Sequence, residues 1–147
     1  MRKDSIKTKI LEIKESLKVV KQNLPKNFDS FRKLGIIKDG IYKKIEFCIQ
    51  NLLDISSIIV FDLNLGIPSN EEDIIEKLYE KKLLSKKLSE KLKKMRAFRN
   101  FLVHRYGRID DRVAFNTISR NLKDFNAFIR LFGKVIIRHK NNDKQSF

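Results

Sequence analysis

The sequence predicts an all-α protein, an up-and-down four-helix bundle with an additional short helix. Three observations predict it. Apolar residues recur at steps of three and four over most of the chain. The chain holds only 5 glycines and 2 prolines, and both prolines fall between those stretches. No window shows sustained period-two alternation, and there is no internal repeat or low-complexity segment.

Each element follows from its own pattern. Ile6, Ile10, Ile13, Leu17, Val20 and Leu24 form the stripe of a first helix, which Pro25 stops. Residues 26–35 are expected to be a short loop. A second helix is expected over 39–63, where Ile41, Ile45, Cys48, Ile49, Leu52, Leu53, Ile59 and Val60 form a wide apolar band. That width predicts a central helix, buried on more than one side. Gly66-Ile67-Pro68 breaks the chain, and Ser69 with Glu72 reads as a capping box. The third helix is short and carries Ile74, Ile75 and Leu78. Leu84, Leu88, Leu92 and Met95 begin a fourth, which continues through Phe98, Phe101 and Leu102, with Gly107 as a left-handed C-cap. Asp110 and Asp111 supply an N-cap for a last helix striped by Ala114, Ile118, Leu122, Phe125, Ile129, Phe132 and Ile136. The expected organisation is one helical domain over 1–137, followed by a polar tail, 138–147, expected to fray.

Composition narrows the function. A chain of 147 residues corresponds to one domain. Its 41% hydrophobic content, with 11 Phe, argues against a disordered polycation. The formal charge of +15 points to an anionic partner, without choosing among RNA, DNA, an acidic protein and a membrane surface. A single cysteine, Cys48, excludes an intrachain disulfide and a cysteine-based zinc site, and fits a reducing compartment. The polar start runs straight into a helical stripe and no apolar run approaches the ~20 residues of a membrane span, so a cytoplasmic location is expected. There is no glycine-rich phosphate loop, no His-x-x-x-His pair and no Cys/His cluster, so neither a metal nor a cofactor is expected. The charges of 71–96, acids first and bases later, read as a solvated helix face.

One segment departs from ordinary helix composition. In Arg99-Asn100-Phe101-Leu102-Val103-His104-Arg105-Tyr106, polar residues interrupt a core stretch. Asn100 and His104 lie about 40° apart on one helix face, and Arg99 and His104 about 140° apart, so Arg99 depends on its long side chain to approach His104. Two readings fit. In the first, His104 and Arg105 complement the negative end of the helix dipole and Tyr106 packs at an edge. In the second, an arginine and a histidine share one phosphate. Imidazole moves a proton from or to a ribose hydroxyl, guanidinium stabilises phosphoryl charge, and Asn100 fixes the ring's orientation or tautomer. His139 lies in the basic tail and reads as a surface residue.

At these residues the sequence resembles the HEPN superfamily, whose motif is Arg, four to six residues, then His. Arg99, His104 and Tyr106 match the Arg-x4-His-x-Tyr pattern of its HepT-like toxin subgroup in full, and the likeness extends to helix order and motif position. The resemblance implies a metal-independent endoribonuclease acting as a homodimer, with Arg99 and His104 catalytic. The 2′-hydroxyl attacks the adjacent phosphate. It also implies a partner, a minimal nucleotidyltransferase antitoxin (MntA-like), that silences the toxin by adding AMP to Tyr106. Asp54, on the second helix, is a candidate to orient Arg99 or His104, or else a helix carboxylate paired with a nearby base. Lys94, Arg96, Arg105 and Arg108 are candidates for a basic RNA approach, whereas Lys43 and Lys44 read equally well as surface lysines. Two alternatives stay open: a non-catalytic HEPN partner or substrate-binding subunit of a nucleotidyltransferase, and a general nucleic-acid-binding bundle driven by charge alone.

Overall fold

The computed structural model describes residues 1–104 and 108–145, with side chains described through His139. Among the described residues there are seven α-helices and no strand. They are α1 (Lys3–Asn23), α2 (Phe28–Arg32), α3 (Ile36–Asp62), α4 (Glu71–Glu80), α5 (Lys86–His104), α6 (Asp111–Asn121) and α7 (Phe125–Gln145). The four long layers of the bundle are α1, α3, α5 and the α6–α7 pair. Helix α3 packs on α1, α4 and α5, and α7 packs on α1.

The stripes behave as their spacing requires. On α1, Ile6, Ile13 and Val20 are fully buried. On α3, Ile45, Cys48, Leu52, Ile55 and Ile59 step by three and four, and each is at most 2% exposed. Helix α3 is the central helix that its wide apolar band predicts. Cys48 Sγ lies 3.8 Å from the carbonyl of Ile13, so α1 and α3 approach closely there.

Several local expectations need correction. The expected loop over 26–35 contains α2, capped by Asn27, whose side chain accepts from Ser30 N at 2.9 Å. Phe31 drives this turn inward: it is fully buried, 5.0 Å from the Phe115 ring and 5.8 Å from Tyr42. Helix α3 starts at Ile36, because Gly35 adopts φ +61° and turns the chain directly into it. The cap of α4 lies one residue later than expected. Asn70 Oδ1 accepts from Asp73 N at 2.8 Å, and Asp73 accepts from Ser69 N at 2.9 Å, so the pair is Asn70–Asp73 and not Ser69–Glu72. Asparagine caps as well as serine does. The last helix is two: Asn121 widens to φ −113°, ψ 0°, and a 3₁₀ turn at Leu122–Asp124 separates α6 from α7. A 3₁₀ turn keeps nearly the same facing direction, so the stripe from Ala114 to Ile136 runs through the break without signalling it. Helix α7 extends to Gln145, through residues read as polar tail. Gly107, the expected cap of α5, lies outside the described residues.

Helix α5 is described through His104, and α6 begins at Asp111 under an Asp110 cap. Asp111 is tied to α3, accepting from Tyr42 Oη at 2.6 Å and Lys38 Nζ at 2.8 Å.

Candidate active site

Helix α5 buries Ser89, Leu92, Met95, Arg99 and Leu102, a stripe at helical spacing in which one core position is an arginine. A buried guanidinium is stable only where its N–H groups find partners and its charge a counter-ion. Arg99, 9% exposed, finds both. Nη1 donates to Gln50 Oε1 at 2.7 Å and Glu71 Oε2 at 2.8 Å. Nη2 donates to Glu71 Oε1 at 2.6 Å and Asn100 Oδ1 at 2.8 Å, and Nε reaches Asn100 Oδ1 at 3.2 Å. All five guanidinium donors are engaged.

Three helices supply these partners. Gln50 comes from α3, on the side away from the Leu52 stripe, since positions two apart face roughly opposite ways. Glu71 is the first residue of α4, where the positive end of the helix dipole favours a carboxylate. Asn100 adjoins Arg99 on α5. Glu71 Oε1 also accepts from Arg96 Nε at 2.9 Å. Hydrogen bonding to Arg99, and then to Arg96, pulls the Glu71 carboxyl down to about 2, against a desolvation that opposes it. Arg99 is raised above its ordinary value, first by its bonds to Glu71 and more weakly by the fields of Glu71, Asp54 and Glu46.

The sequence-predicted residues divide. Arg99 and Asn100 come together. Asn100 Oδ1 faces the guanidinium, and the described residues show no bond from it to His104. His104 lies in the last described turn of α5, exposed to solvent. Asp54 stands one shell behind Arg99: its Oδ1 accepts from Gln50 Nε2 at 2.9 Å, and Lys9 Nζ lies 3.6 Å from its Oδ2. It therefore orients the amide that orients Arg99, while also pairing with a base. Of the basic approach, Arg96 is engaged by Glu71, and Arg108 is exposed. Lys94 is exposed too, but lines a separate apolar cavity of about 180 Å³ beside Ile45, Ile49, Met95 and Phe98. Lys43 pairs with Glu46, and Lys93 with Glu76. Arg105 and Tyr106 lie outside the described residues.

Gln50 and Glu71 were missed. Glu71 was read as the start of a solvated helix face, yet its partners are 25 and 28 residues away on another helix. The available signal was Arg99 itself, a charge on the stripe of Leu92, Met95 and Leu102, which demands a carboxylate from elsewhere.

Comparison with known proteins bears on what this constellation does. The chain is 29% identical over 126 residues to the mRNA nuclease HepT of Shewanella oneidensis, covering 86% of this chain and 94% of that one. It is 30% identical over 118 residues to a putative RNase of Archaeoglobus fulgidus, covering 80% and 83%. Its fold matches the tri-AMPylated HEPN toxin of Shewanella oneidensis solved in complex with the MNT antitoxin. That match has a TM-score of 0.80 and 28% identity, over 89% of this chain and 98% of the toxin. The family model for Ribonuclease HepT-like proteins matches residues 13–132, a span that holds Gln50, Glu71, Arg99, Asn100 and His104. The chain belongs to the HepT-like ribonuclease family.

Proposed function

We propose that this HepT-like ribonuclease is the toxin of a toxin–antitoxin pair, and that Arg99 and His104 carry out metal-independent cleavage of RNA. The observation that carries the reading is the burial of Arg99 on the core stripe of α5, five residues before an exposed histidine on the same helix. Burying a charge costs desolvation, so a charge at a core position marks a functional-site candidate. In the proposed step, His104 takes the proton of a ribose 2′-hydroxyl as that oxygen attacks the adjacent phosphorus. The bond from phosphorus to the 5′-oxygen breaks, solvent protonates the leaving oxygen, and a 2′,3′-cyclic phosphate remains. Arg99 stabilises the negative charge that grows on the phosphoryl oxygens. Asn100, Gln50 and, through Gln50, Asp54 aim the guanidinium.

Lys94, Arg96, Arg105 and Arg108 form the proposed basic approach. The active unit is proposed to be a homodimer, so that two motifs face one strand. Its proposed partner is a minimal nucleotidyltransferase, as in the Shewanella oneidensis toxin complexed with its MNT antitoxin. AMP on Tyr106 adds a charge of about −1 and a bulky base at the motif, which would exclude RNA. Among the described residues no helix is long and apolar enough to cross a membrane.

The test is cleavage of a mixed-sequence RNA in EDTA. Wild type should produce 2′,3′-cyclic phosphate ends, and His104→Ala should lose about 10²–10⁴ of the rate with an unchanged circular dichroism spectrum. Incubation with the nucleotidyltransferase and ATP should add AMP masses to the Tyr106 peptide and stop cleavage. Equal cleavage by wild type and His104→Ala would remove the catalytic assignment. Cleavage of DNA at the same rate would remove 2′-hydroxyl attack.

A further inference from the structure

We propose that Glu71 competes with the RNA phosphate for Arg99. It holds the guanidinium in the RNA-free site and releases it, remaining on Arg96, when a phosphodiester binds. This rests on the proposed role of Arg99 at the scissile phosphate.

The donor inventory leads there. Each of the five N–H groups of Arg99 already has a partner within the chain. A phosphate can gain direct bonds from Arg99 only by displacing one of them. Gln50 and Asn100 are neutral, and Glu71 is the single anion. Its two oxygens lie across Nη1 and Nη2 in the bidentate fork that two phosphoryl oxygens would also occupy. Carboxylate and phosphate cannot share that fork, because two anions there would repel.

Burial identifies Glu71 as the outer member of the pair. The Arg99 side chain is 11% exposed and that of Glu71 33%. A strand arriving from solvent therefore meets the carboxylate before the guanidinium. Displacement does not strand the carboxylate, since Arg96 Nε already donates to Glu71 Oε1 at 2.9 Å and Glu71 stays in the first turn of α4. Arg99 exchanges one anion for another and never becomes an unpaired buried charge, which would be the costly state. Glu71 is thus a positioning residue for the RNA-free arginine, and its charge sets how strongly a phosphate must bind to take over.

The experiment measures affinity without turnover. A short 2′-fluoro RNA keeps every phosphate but lacks the attacking hydroxyl, and its binding is followed by fluorescence anisotropy. Glu71→Gln, which keeps the shape and removes the charge, should bind about five- to tenfold more tightly than wild type. Glu72→Gln makes the same charge change at the exposed neighbouring position, and should stay within about twofold of wild type. In an Arg99→Ala background the gain from Glu71→Gln should disappear. If Glu71→Gln fails to fold, Glu71→Asp keeps the charge but shortens the fork, and should still bind more tightly than Glu72→Gln. Affinity at or below wild type in the folded Glu71 variant overturns the proposal. So does an equal gain from Glu72→Gln, which would reduce the effect to overall charge. Because the probe cannot be cleaved, absence of ribonuclease activity in wild type would count against the catalytic assignment alone.

Discussion

Helix α3 has two sides that solve opposite problems. Toward α1 it presents the stripe of Cys48, Leu52, Ile55 and Ile59, all at most 1% exposed, flanked by two polar contacts, Asn51 donating to Glu12 and Asp54 pairing with Lys9. Toward α4 and α5 it presents Gln50, which bonds a buried arginine and is itself held by Asp54. The apolar side needs only shape and volume, and burial stabilises it by roughly 25 cal/mol per Å². The polar side gains little net stability, because the cost of desolvating Arg99 and Glu71 offsets much of their attraction. Its return is a guanidinium held in one orientation. Stability and function thus weigh differently on two faces of one helix, and Asp54, paired with Lys9 of α1 and bonded to Gln50, joins them.

That difference can be tested by experiment. The largest stability effect is expected from Ile13→Ala, at a fully buried position whose carbonyl meets Cys48. Urea denaturation should show a loss of about 2–5 kcal/mol, while the cleavage rate per folded molecule stays at the wild-type value. A reduced rate in the folded fraction would show that the α1 side also shapes the site.

A smaller effect is expected where a polar contact is purely structural. Tyr42 donates to Asp111, and burial together with that bond pushes its hydroxyl well above the usual range, so it remains a donor throughout ordinary pH. Tyr42→Phe should cost about 1–1.5 kcal/mol in the same assay. Phosphate affinity should stay unchanged. Weaker RNA binding by this variant would extend the functional region to the start of α6.

The smallest effect concerns acid. Glu71 has a folded value near 2, below its ordinary 4.5, so its contribution to stability is complete above about 4.5 and is lost as pH falls through 2. At a side chain one-third exposed, solvent screening leaves that contribution on the order of 1 kcal/mol. Comparing urea midpoints at pH 5 and pH 2.5 should show a smaller acid loss in Glu71→Gln than in wild type. Identical losses would mean that the Glu71–Arg99 pair adds nothing to stability.

Much of this protein was legible along the chain. The stripes on α1 and α3 are local properties of spacing, so they survive without tertiary information. The motif residues were legible because Arg99, His104 and Tyr106 stand at short, fixed separations. Phe31 was not legible as a core residue, since its partners Tyr42 and Phe115 are far away in sequence and nothing local distinguishes it from a loop aromatic. The break between α6 and α7 was hidden because it leaves the stripe in phase.

The sequence by itself determined that the chain forms helices, which faces turn inward, and which arginine and histidine are candidates for phosphate chemistry. Only the tertiary structure decided which groups surround that arginine. Helical periodicity reports the direction of a side chain about its own axis, and carries no information on what another helix brings to meet it. The meeting of Glu71 at the start of α4, Gln50 on α3 and Arg99 on α5 depends on how three helices pack. It is that packing which turns a charged residue on a core stripe into a guanidinium that is aimed, neutralised and already engaged.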